Sequence, residues 1–440
     1  MFLGNGIPVD WLAQFFDLLT IIILLYVTVK YISKVFEETR ILVFMIFFMF
    51  YILPLVLDYI VGFPEYFKSN ERFAVSQKDL PTRIVYDFCL MICTWIILNY
   101  KKTKTIRLAS IATLGIKTSK KINVALIVGM LLPVVFVLLL NMPSFMLVVP
   151  MWREIEFVEV PQNYSLVEQL DFAGVCCCIL CLFGKYNNNS FPIRLISLIL
   201  LYCNICIEGK RGIIFFTLLC VVLLWIVRQH VDKLGHKEKL LGLLKIVTIG
   251  AAAIVVMIIM SVNVKIGRGY EDDPMLLYTS MRIDFLRDDR VRLAIYEFVH
   301  PDSPHVLDYP GQTIWPFITW LFPLNILFLK LYNFSAPHYS YFLSSALLGG
   351  NISKEESFMT PSVFGELISN FSYFGIIVFI LFTIWFIKKA DRFPYPINLF
   401  IIIAFTAWQM YPLGYIMLFL EFTFVLCVLY RIRSNKRRTL

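Results

Sequence analysis

The chain has 440 residues, of which 59% are hydrophobic and only 16% are charged, and its mean hydropathy is +0.74. This composition excludes an ordinary water-soluble enzyme and is typical of a protein with many membrane-spanning helices. The formal net charge of +9 is informative through its distribution, because membrane proteins concentrate lysine and arginine on the cytoplasmic side.

Apolar stretches long enough to cross a bilayer recur along the chain and predict an all-α polytopic membrane protein. We expect about eleven spans, within a range of about ten to twelve. They cover residues 11–31, 41–63, 83–100, 122–140, 166–183, 191–207, 213–227, 240–262, 361–387, 396–410 and 411–430. The sequence therefore predicts a single integral membrane domain, residues 1–440, with one large polar loop, residues 265–360, before the last three spans.

The basic stretches predict the orientation of the chain. If the amino terminus is outside, they all fall on the cytoplasmic side, at residues 30–40, 101–121, 185–194, 228–245, 388–392 and 431–438. The carboxyl terminus is then cytoplasmic and the polar loop is extracytoplasmic. The apolar segment 313–332 inside this loop contains Pro316 and Pro323. A further span there would also move every later basic stretch to the other side of the membrane. We expect it to be re-entrant or interfacial.

The turn IEGKRG, residues 207–212, places two cations directly before an apolar helix. One interpretation is an ordinary turn whose Lys210 and Arg211 reach the lipid headgroups. The other is an anion site, because a helix beginning near Gly212 has free backbone amides and a positive dipole end beside both cations. The second interpretation predicts a phosphate or pyrophosphate ligand.

The stretch SMRIDFLRDDRVRLAIYEF concentrates arginines on the predicted outer side, where cations are scarce. Its cations are Arg282, Arg287, Arg290 and Arg292, and they alternate with Asp284, Asp288, Asp289 and Glu297. Such pairs often form a solvated helix face. The alternative is an anion-binding cluster, since arginine binds phosphate or carboxylate oxygens with two parallel hydrogen bonds.

A histidine flanked by tyrosines follows in SAPHYSYF. His338 is either a structural histidine or a base active near neutral pH, and Tyr339 and Tyr341 offer rings and hydroxyls for a carbohydrate. His300 and His305 lie in a proline-rich loop and are weaker candidates.

Carboxylates at or within predicted spans are a further group of candidates. Glu366, in GELISNF, either favours the positive end of a long helix or acts as a base or sugar ligand. Asp87 lies four residues after Arg83 and is expected to pair with it, and Asp58 lies near the end of a span. Glu421 has no evident partner in the sequence.

Two of these stretches resemble a known family. EGKRGIIFF and TPSVFGELISNFSYFGI are similar to segments of bacterial oligosaccharide repeat-unit polymerases, the Wzy-type polymerases of O-antigen and capsule. The resemblance implies a GT-C-like, metal-independent glycosyltransferase of the bacterial cytoplasmic membrane that acts at its outer face. Donor and acceptor would be oligosaccharides on undecaprenyl pyrophosphate in the bilayer, without a cofactor or nucleic acid and with a chain-length regulator as a further partner.

The roles follow from the resemblance together with the chemistry of the residues. Breaking a sugar–pyrophosphate bond needs cations for the leaving group and a base for the acceptor hydroxyl. Catalytic roles are predicted for His338, Glu366 and Arg282. Substrate-binding roles are predicted for Lys210, Arg211, Arg287, Arg290, Arg292, Tyr339, Tyr341 and Asn370.

Two other functions are compatible with this sequence. A flippase of lipid-linked oligosaccharide would share the spans and the buried charges, although transporters often contain two similar halves and no internal repeat is visible here. An O-antigen ligase would share the loop and the arginines. The sequence contains no P-loop, dinucleotide fingerprint or nucleophile elbow, so we expect no nucleotide-driven chemistry.

Overall fold

The computed structural model describes most of the chain. The described residues are 11–32, 34–35, 38–64, 66, 71–100, 120–150, 152, 164–183, 191–209, 211–231, 275–314, 339–348, 360–393, 397–411 and 417–436, with a few single positions between 241 and 262. All regular elements within these ranges are helical. The predicted all-α class is confirmed for this part of the chain.

The helices of the first half begin near the amino terminus. They are α1 (Trp11–Ile32), α2 (Thr39–Phe47), α3 (Leu53–Val61), α4 (Glu71–Lys78), α5 (Leu80–Asn99), α6 (Lys120–Leu139), α7 (Tyr164–Phe183), α8 (Phe191–Glu208) and α9 (Arg211–Val231). A π-helical turn, Phe48–Ile52, joins α2 to α3, and a short 3₁₀ helix, Ser144–Leu147, follows α6.

The second half contains shorter helices between long ones. They are α10 (Leu276–Phe285), α11 (Asp288–Val299), α12 (Tyr339–Leu348), α13 (Val363–Phe371), α14 (Tyr373–Arg392), α15 (Ile397–Met410) and α16 (Met417–Lys436). Most of the span predicted at 240–262 and the whole segment 315–332 lie outside the described residues.

Several helices have the length and surface of membrane spans. Among the described residues, four are long and apolar enough to cross a bilayer: α1, the continuous stretch Thr39–Val61, α5 and α14. Large apolar side chains on α1 point outward, including Trp11, Ile22 and Val29, which are 78%, 64% and 72% exposed. Such a surface belongs in lipid rather than in water, so the chain is a membrane-embedded helical protein. The count of eleven spans and the GT-C-like arrangement stay predictions.

One segment predicted as a single continuous span is wrong. Residues 361–387 form two helices, α13 and α14, because Ser372 takes a positive φ of 59° and ends the first. The chain folds back so closely there that a Cβ at Gly375 would lie 2.2 Å from the Leu367 carbonyl oxygen. Phe364 of α13 then stacks on Phe379 of α14 at 4.2 Å between ring centroids.

At the π-helical turn, a backbone carbonyl in the middle of a span is free to accept a hydrogen bond from another element. Pro54 has no N–H group to donate to the carbonyl of Phe50, four residues earlier. That carbonyl instead accepts the backbone N–H of Arg287 at 3.2 Å. Phe50 is the central residue of the 23-residue stretch Thr39–Val61, so the residues between α10 and α11 reach the depth of its midpoint.

The pair α10–α11 is therefore inserted among the spans. We call Leu286 and Arg287, which join these two helices, the hairpin tip. Ser362, the N-cap residue of α13, lies at a similar depth, because the Tyr51 hydroxyl contacts the Ser362 hydroxyl at 3.2 Å and donates to Gln409 of α15 at 2.8 Å. Irregular backbone at such depth is tolerated only where protein surrounds it, and Leu286 and Arg287 are both buried.

Candidate functional site

A closed ionic network lies where α10 and α11 meet α3. The guanidinium of Arg282 forms salt bridges with Asp58, Asp288 and Asp289, the last at 2.6 Å. Arg292 lies 3.6 Å from Asp58 and 3.5 Å from Asp288. We call these five residues the Arg282 network. All are buried, so the interpretation of this stretch as a solvated helix face is wrong.

Polar neighbours complete the coordination of the network. The Tyr278 hydroxyl donates to Asp58 at 2.7 Å, and the Gln77 amide of α4 donates to Asp289 at 2.7 Å. Tyr66 also donates to Asp289. Sequence reasoning set Asp58 aside as a residue near a span end, yet it is the anchor of this network on α3.

Arg287 at the hairpin tip has a different environment. Its guanidinium donates to the carbonyl oxygens of Leu286 at 2.6 Å and Asp284 at 3.2 Å. Its side chain is buried, and its Nε has no hydrogen-bond partner. Among the described residues it forms no ion pair. Within the part of the chain that the structure describes, Arg287 is thus a buried cation held by backbone carbonyls.

Arg290 is also bonded to carbonyls, but it joins two elements. Its Nε donates to the Thr360 carbonyl at 2.9 Å and its Nη2 donates to the Ile283 carbonyl at 2.5 Å. A Cβ at Gly365 would lie 2.9 Å from the Arg290 carbonyl oxygen. Gly365 therefore lets α13 approach the backbone of α11 closely.

The helix that follows the IEGKRG turn begins where the sequence predicted. Helix α9 begins at Arg211, next to the predicted Gly212. Gly209 has a positive φ of 64°, and a Cβ there would lie 2.5 Å from the ring of Trp152. Lys210 and the side chain of Arg211 lie outside the described residues.

Two aromatic side chains fix the end of α8 before this turn. The Tyr164 hydroxyl donates to the carbonyls of Ile207 at 2.7 Å and Glu208 at 2.8 Å. The Trp152 indole donates to the Cys206 carbonyl at 2.9 Å. These bonds satisfy carbonyls that a helix end otherwise leaves free and hold the turn in place.

The turn and the hairpin tip both lie near Tyr411. A Cβ at Gly212 would lie 3.0 Å from the Tyr411 hydroxyl, and Tyr411 is within electrostatic range of Arg287, Glu208 and Asp171. A ring contact of 5.1 Å between Phe215 and Phe285 also joins the first turns of α9 to the end of α10. We call Arg287, Tyr411 and the first turn of α9 the Arg287 site.

Glu366 is bonded to a loop residue rather than exposed at the surface. The Thr313 hydroxyl donates to its carboxylate at 2.8 Å, and the Asn370 amide donates to the Thr313 hydroxyl at 2.8 Å. Both Glu366 and Asn370 are buried. Ser362 caps α13 by accepting from Gly365, so Glu366 lies in the first turn of a short helix, not of the long helix that was predicted.

The predicted aromatic cluster is only partly described. His338 lies outside the described residues. Tyr339 is buried and its hydroxyl lies 2.9 Å from that of Ser369 on α13, and burial raises the pKa of the Tyr339 phenol. Tyr341 is half-buried, with its ring against Phe342 at 5.6 Å.

A cleft of about 660 Å³ opens between the carboxyl-terminal ends of α11 and α13. It is lined by Ala294, Glu297, Phe298, His305, Leu307, Asp308, Tyr309, Pro310 and residues 368–372. Sequence reasoning missed it and placed His305 among weaker candidates. The cluster of histidine, aspartate and tyrosine at 305–309 was the available signal, but nothing in the sequence indicated a facing helix.

Glu297 is the buried carboxylate of this cleft. Its oxygens accept from the Val306 amide at 3.0 Å and from Arg72 at 3.2 Å. Burial raises the pKa of Glu297 to about 7, against the opposing effects of the Val306 amide, Arg72 and His305. This carboxyl group therefore changes its charge near neutral pH.

The expected pair between Arg83 and Asp87 is wrong. Packing of α1 against α5 brings Asp17 against the Arg83 guanidinium, whose Nε donates to it at 3.1 Å. The same guanidinium donates to the Tyr59 hydroxyl at 3.1 Å. A partner on a neighbouring helix thus replaces the one expected from spacing along α5.

Comparison with known proteins identifies no relative: no family model, curated protein or solved structure matches this chain. Within the described part of the chain, no group of three or more His, Cys, Asp or Glu residues could hold a metal ion. Function is therefore inferred from the residues and their geometry.

Proposed function

We propose that the chain is a metal-independent membrane glycosyltransferase that polymerises oligosaccharide repeat units carried on undecaprenyl pyrophosphate. It would act at the outer face of the bacterial cytoplasmic membrane and form O-antigen or capsular polysaccharide. The acceptor hydroxyl oxygen attacks the anomeric carbon of the donor, and the bond from that carbon to the pyrophosphate breaks. The electron pair goes to the pyrophosphate, and the hydroxyl proton goes to a base.

The Arg287 site is the observation that carries this proposal. A helix amino terminus alone is a weak anion site, but here it lies against Tyr411, and Tyr411 is within electrostatic range of a buried guanidinium that has no ion pair among the described residues. The sequence singled out these two stretches separately, and in the fold Gly212 lies against the Tyr411 hydroxyl while Arg287 is within electrostatic range of it. A pyrophosphate leaving group would supply the paired charge that Arg287 lacks among the described residues, and it would bind in a place where Asp171 and Glu208 also lie within range of Tyr411.

The remaining residues take roles that fit their contacts. Arg211 and Lys210 adjoin the start of α9 and would share the pyrophosphate with Arg287. Glu366, held by Thr313, and His338 are the candidates for the base. A base has to lie within hydrogen-bond reach of the acceptor hydroxyl. The position of that hydroxyl in the bound substrate therefore determines which of the two residues acts.

Arg282 takes a positioning role in this scheme. Its guanidinium is occupied by three carboxylates and is fully buried, so it would act by holding α10–α11 against α3. Arg290 and Arg292 share this task, Arg290 through carbonyls and Arg292 through the network. The clamp on the leaving group then depends on Arg287 rather than on the four arginines together.

The test is a reconstitution with purified protein in nanodiscs. Lipid-linked repeat units are the only substrate, and neither nucleotide nor metal is added. We expect a ladder of longer glycans on lipid together with released undecaprenyl pyrophosphate, because the donor bond already stores the free energy for transfer.

The same assay separates the alternatives. A flippase leaves glycan length unchanged and moves the lipid between leaflets. A ligase also leaves it unchanged until lipid A core or another acceptor is added. Unchanged glycan length under all these conditions would contradict the polymerase proposal.

A further inference from the structure

We propose that the cleft between the ends of α11 and α13 is a carbohydrate-binding subsite that holds part of the glycan remote from the bond being formed. The class of ligand rests on the proposed function. The location and the shape of the subsite rest on the structure alone.

The spacing along α11 separates the cleft from the Arg287 site. Glu297 follows Arg287 by ten residues, which in a helix corresponds to about 15 Å. A general base works within about 3 Å of the proton that it removes. Glu297 is therefore too far from a pyrophosphate at Arg287 to serve as the base, and the cleft suits a sugar further along the glycan.

Helix α13 runs beside α11 in the same direction. Near their starts, Gly365 packs on the backbone of Arg290, and near their ends Glu297 and Ser369 line the same cleft. The Arg287 site and the cleft thus lie at opposite ends of one helix pair. A glycan extending from the first toward the second would follow these two helices.

The lining has the chemistry that sugars require. Tyr309 is 60% exposed and presents a ring to which the apolar face of a sugar can stack. Asp308 and His305, both exposed beside it, provide hydrogen-bond groups for hydroxyls. The volume of about 660 Å³ lies within the range of about 300–1,000 Å³ that small-molecule sites occupy.

The rim is also held in one conformation. The Asp308 backbone N–H donates to the Gln312 side-chain oxygen at 2.8 Å, and the Gln312 amide donates back to the Asp308 carboxylate at 3.0 Å. Glu297 accepts from the Val306 amide on the opposite side of this loop. A preformed rim reduces the entropy lost on binding.

The test uses the full-length protein in nanodiscs and two assays. The first measures binding of the lipid-free oligosaccharide released by mild acid from the lipid-linked repeat unit. The second measures KM and kcat for lipid-linked glycans of one and of several repeat units. The variants are Tyr309→Ala and Asp308→Asn, and the control is Tyr26→Ala, since Tyr26 is 66% exposed on α1, far from the cleft in sequence.

We expect Tyr309→Ala to weaken oligosaccharide binding and to raise KM about threefold to tenfold, the loss of one aromatic contact, with kcat little changed. The control should match the wild type. Equal binding by Tyr309→Ala, Asp308→Asn and the wild type would overturn the subsite, and so would an equal loss in the control.

The two proposals fail separately. Binding that depends on Tyr309 without any ladder would support the subsite and contradict the polymerase. A normal ladder in the wild type, with KM unchanged in both cleft variants, would support the polymerase and overturn the subsite.

Discussion

Arg282 and Arg287 lie five residues apart, and both are buried at the junction of α10 and α11. Arg282 meets three carboxylates, whereas the hydrogen bonds of the Arg287 guanidinium to described residues go to the carbonyls of Leu286 and Asp284. The difference separates a charge that described carboxylates neutralise from one that they do not. A cluster of arginines in a sequence therefore does not define one site.

The energetic consequence differs between the two. Removing one member of a buried ion pair leaves an uncompensated charge and is strongly destabilising. Removing a buried charge without a counter-ion also removes its desolvation cost, which offsets the hydrogen bonds that are lost, and such charges are typical of functional sites. Arg282 should thus be needed for folding, and Arg287 for activity.

The largest expected effect is on the stability of Arg282→Met. Its loss leaves Asp58, Asp288 and Asp289 without their main counter-ion, and we expect a cost of about 3–5 kcal/mol. Thermal unfolding in detergent measures it, with Lys30→Met, an exposed cation on α1, as the control. Wild-type stability combined with lost activity would instead favour the catalytic role predicted from the sequence.

Glu297 is an intermediate case, a buried carboxylate with one half-exposed partner, Arg72. Its folded-state pKa is raised to about 7, so the folded protein keeps this proton while the unfolded chain releases it near pH 4.5. Stability should therefore fall as pH rises from about 4.5 to 7, by up to about 3 kcal/mol.

Glu297→Gln tests this dependence. The variant cannot titrate, so the difference in unfolding free energy between wild type and variant should change across that pH range and stay constant above it. A difference that does not vary with pH would show that the Glu297 pKa is unperturbed.

Gly365→Ala tests whether the close packing of α13 on α11 holds the hairpin tip at its depth. The added methyl group meets the Arg290 carbonyl oxygen at 2.9 Å, and backbone cannot move aside as a side chain can. We expect a loss of about 1–3 kcal/mol and reduced polymerisation. The matched variant Gly212→Ala meets the side chain of Tyr411, with the hydroxyl at 3.0 Å, and should lose less stability. Equal losses would contradict the close approach of α11 and α13.

The smallest effect on stability is expected for Arg287→Met. Because no ion pair with a described residue is lost, its unfolding temperature should equal or exceed that of the wild type. Detergent melting curves measured beside those of Arg282→Met give the comparison directly. Destabilisation similar to that of Arg282→Met would remove the distinction between the two arginines.

Local patterns predicted much of the helical framework. Hydropathy located α1 and α5, and the glycine and cations of IEGKRG placed the start of α9 within one residue. The break at Ser372 was missed because α13 and α14 together read as one apolar run. The local signal for this break was Gly375. A side chain at that position would collide with α13, but this is evident only once the fold-back between α13 and α14 is known.

The partners of buried charges could not be predicted from spacing. Asp58 and Arg282 are separated by 224 residues, and Asp17 and Arg83 by 66, so packing between helices decides these pairs. The depth of the hairpin tip has a local origin in Pro54, which frees the Phe50 carbonyl. Nothing in the sequence indicates which backbone amide will donate to this carbonyl.

Polymerisation by purified Arg287→Met protein tests the central claim most directly. The variant, shown by its melting curve to be folded, is given lipid-linked repeat units beside the wild type. Loss of a charge-assisted contact to the leaving group should raise the transition-state barrier by about 1.5–3 kcal/mol, which slows transfer about tenfold or more. We predict a glycan ladder from the wild type and almost only single repeat units from Arg287→Met. A ladder of wild-type length and rate from the variant would contradict the assignment of the leaving group to the Arg287 site.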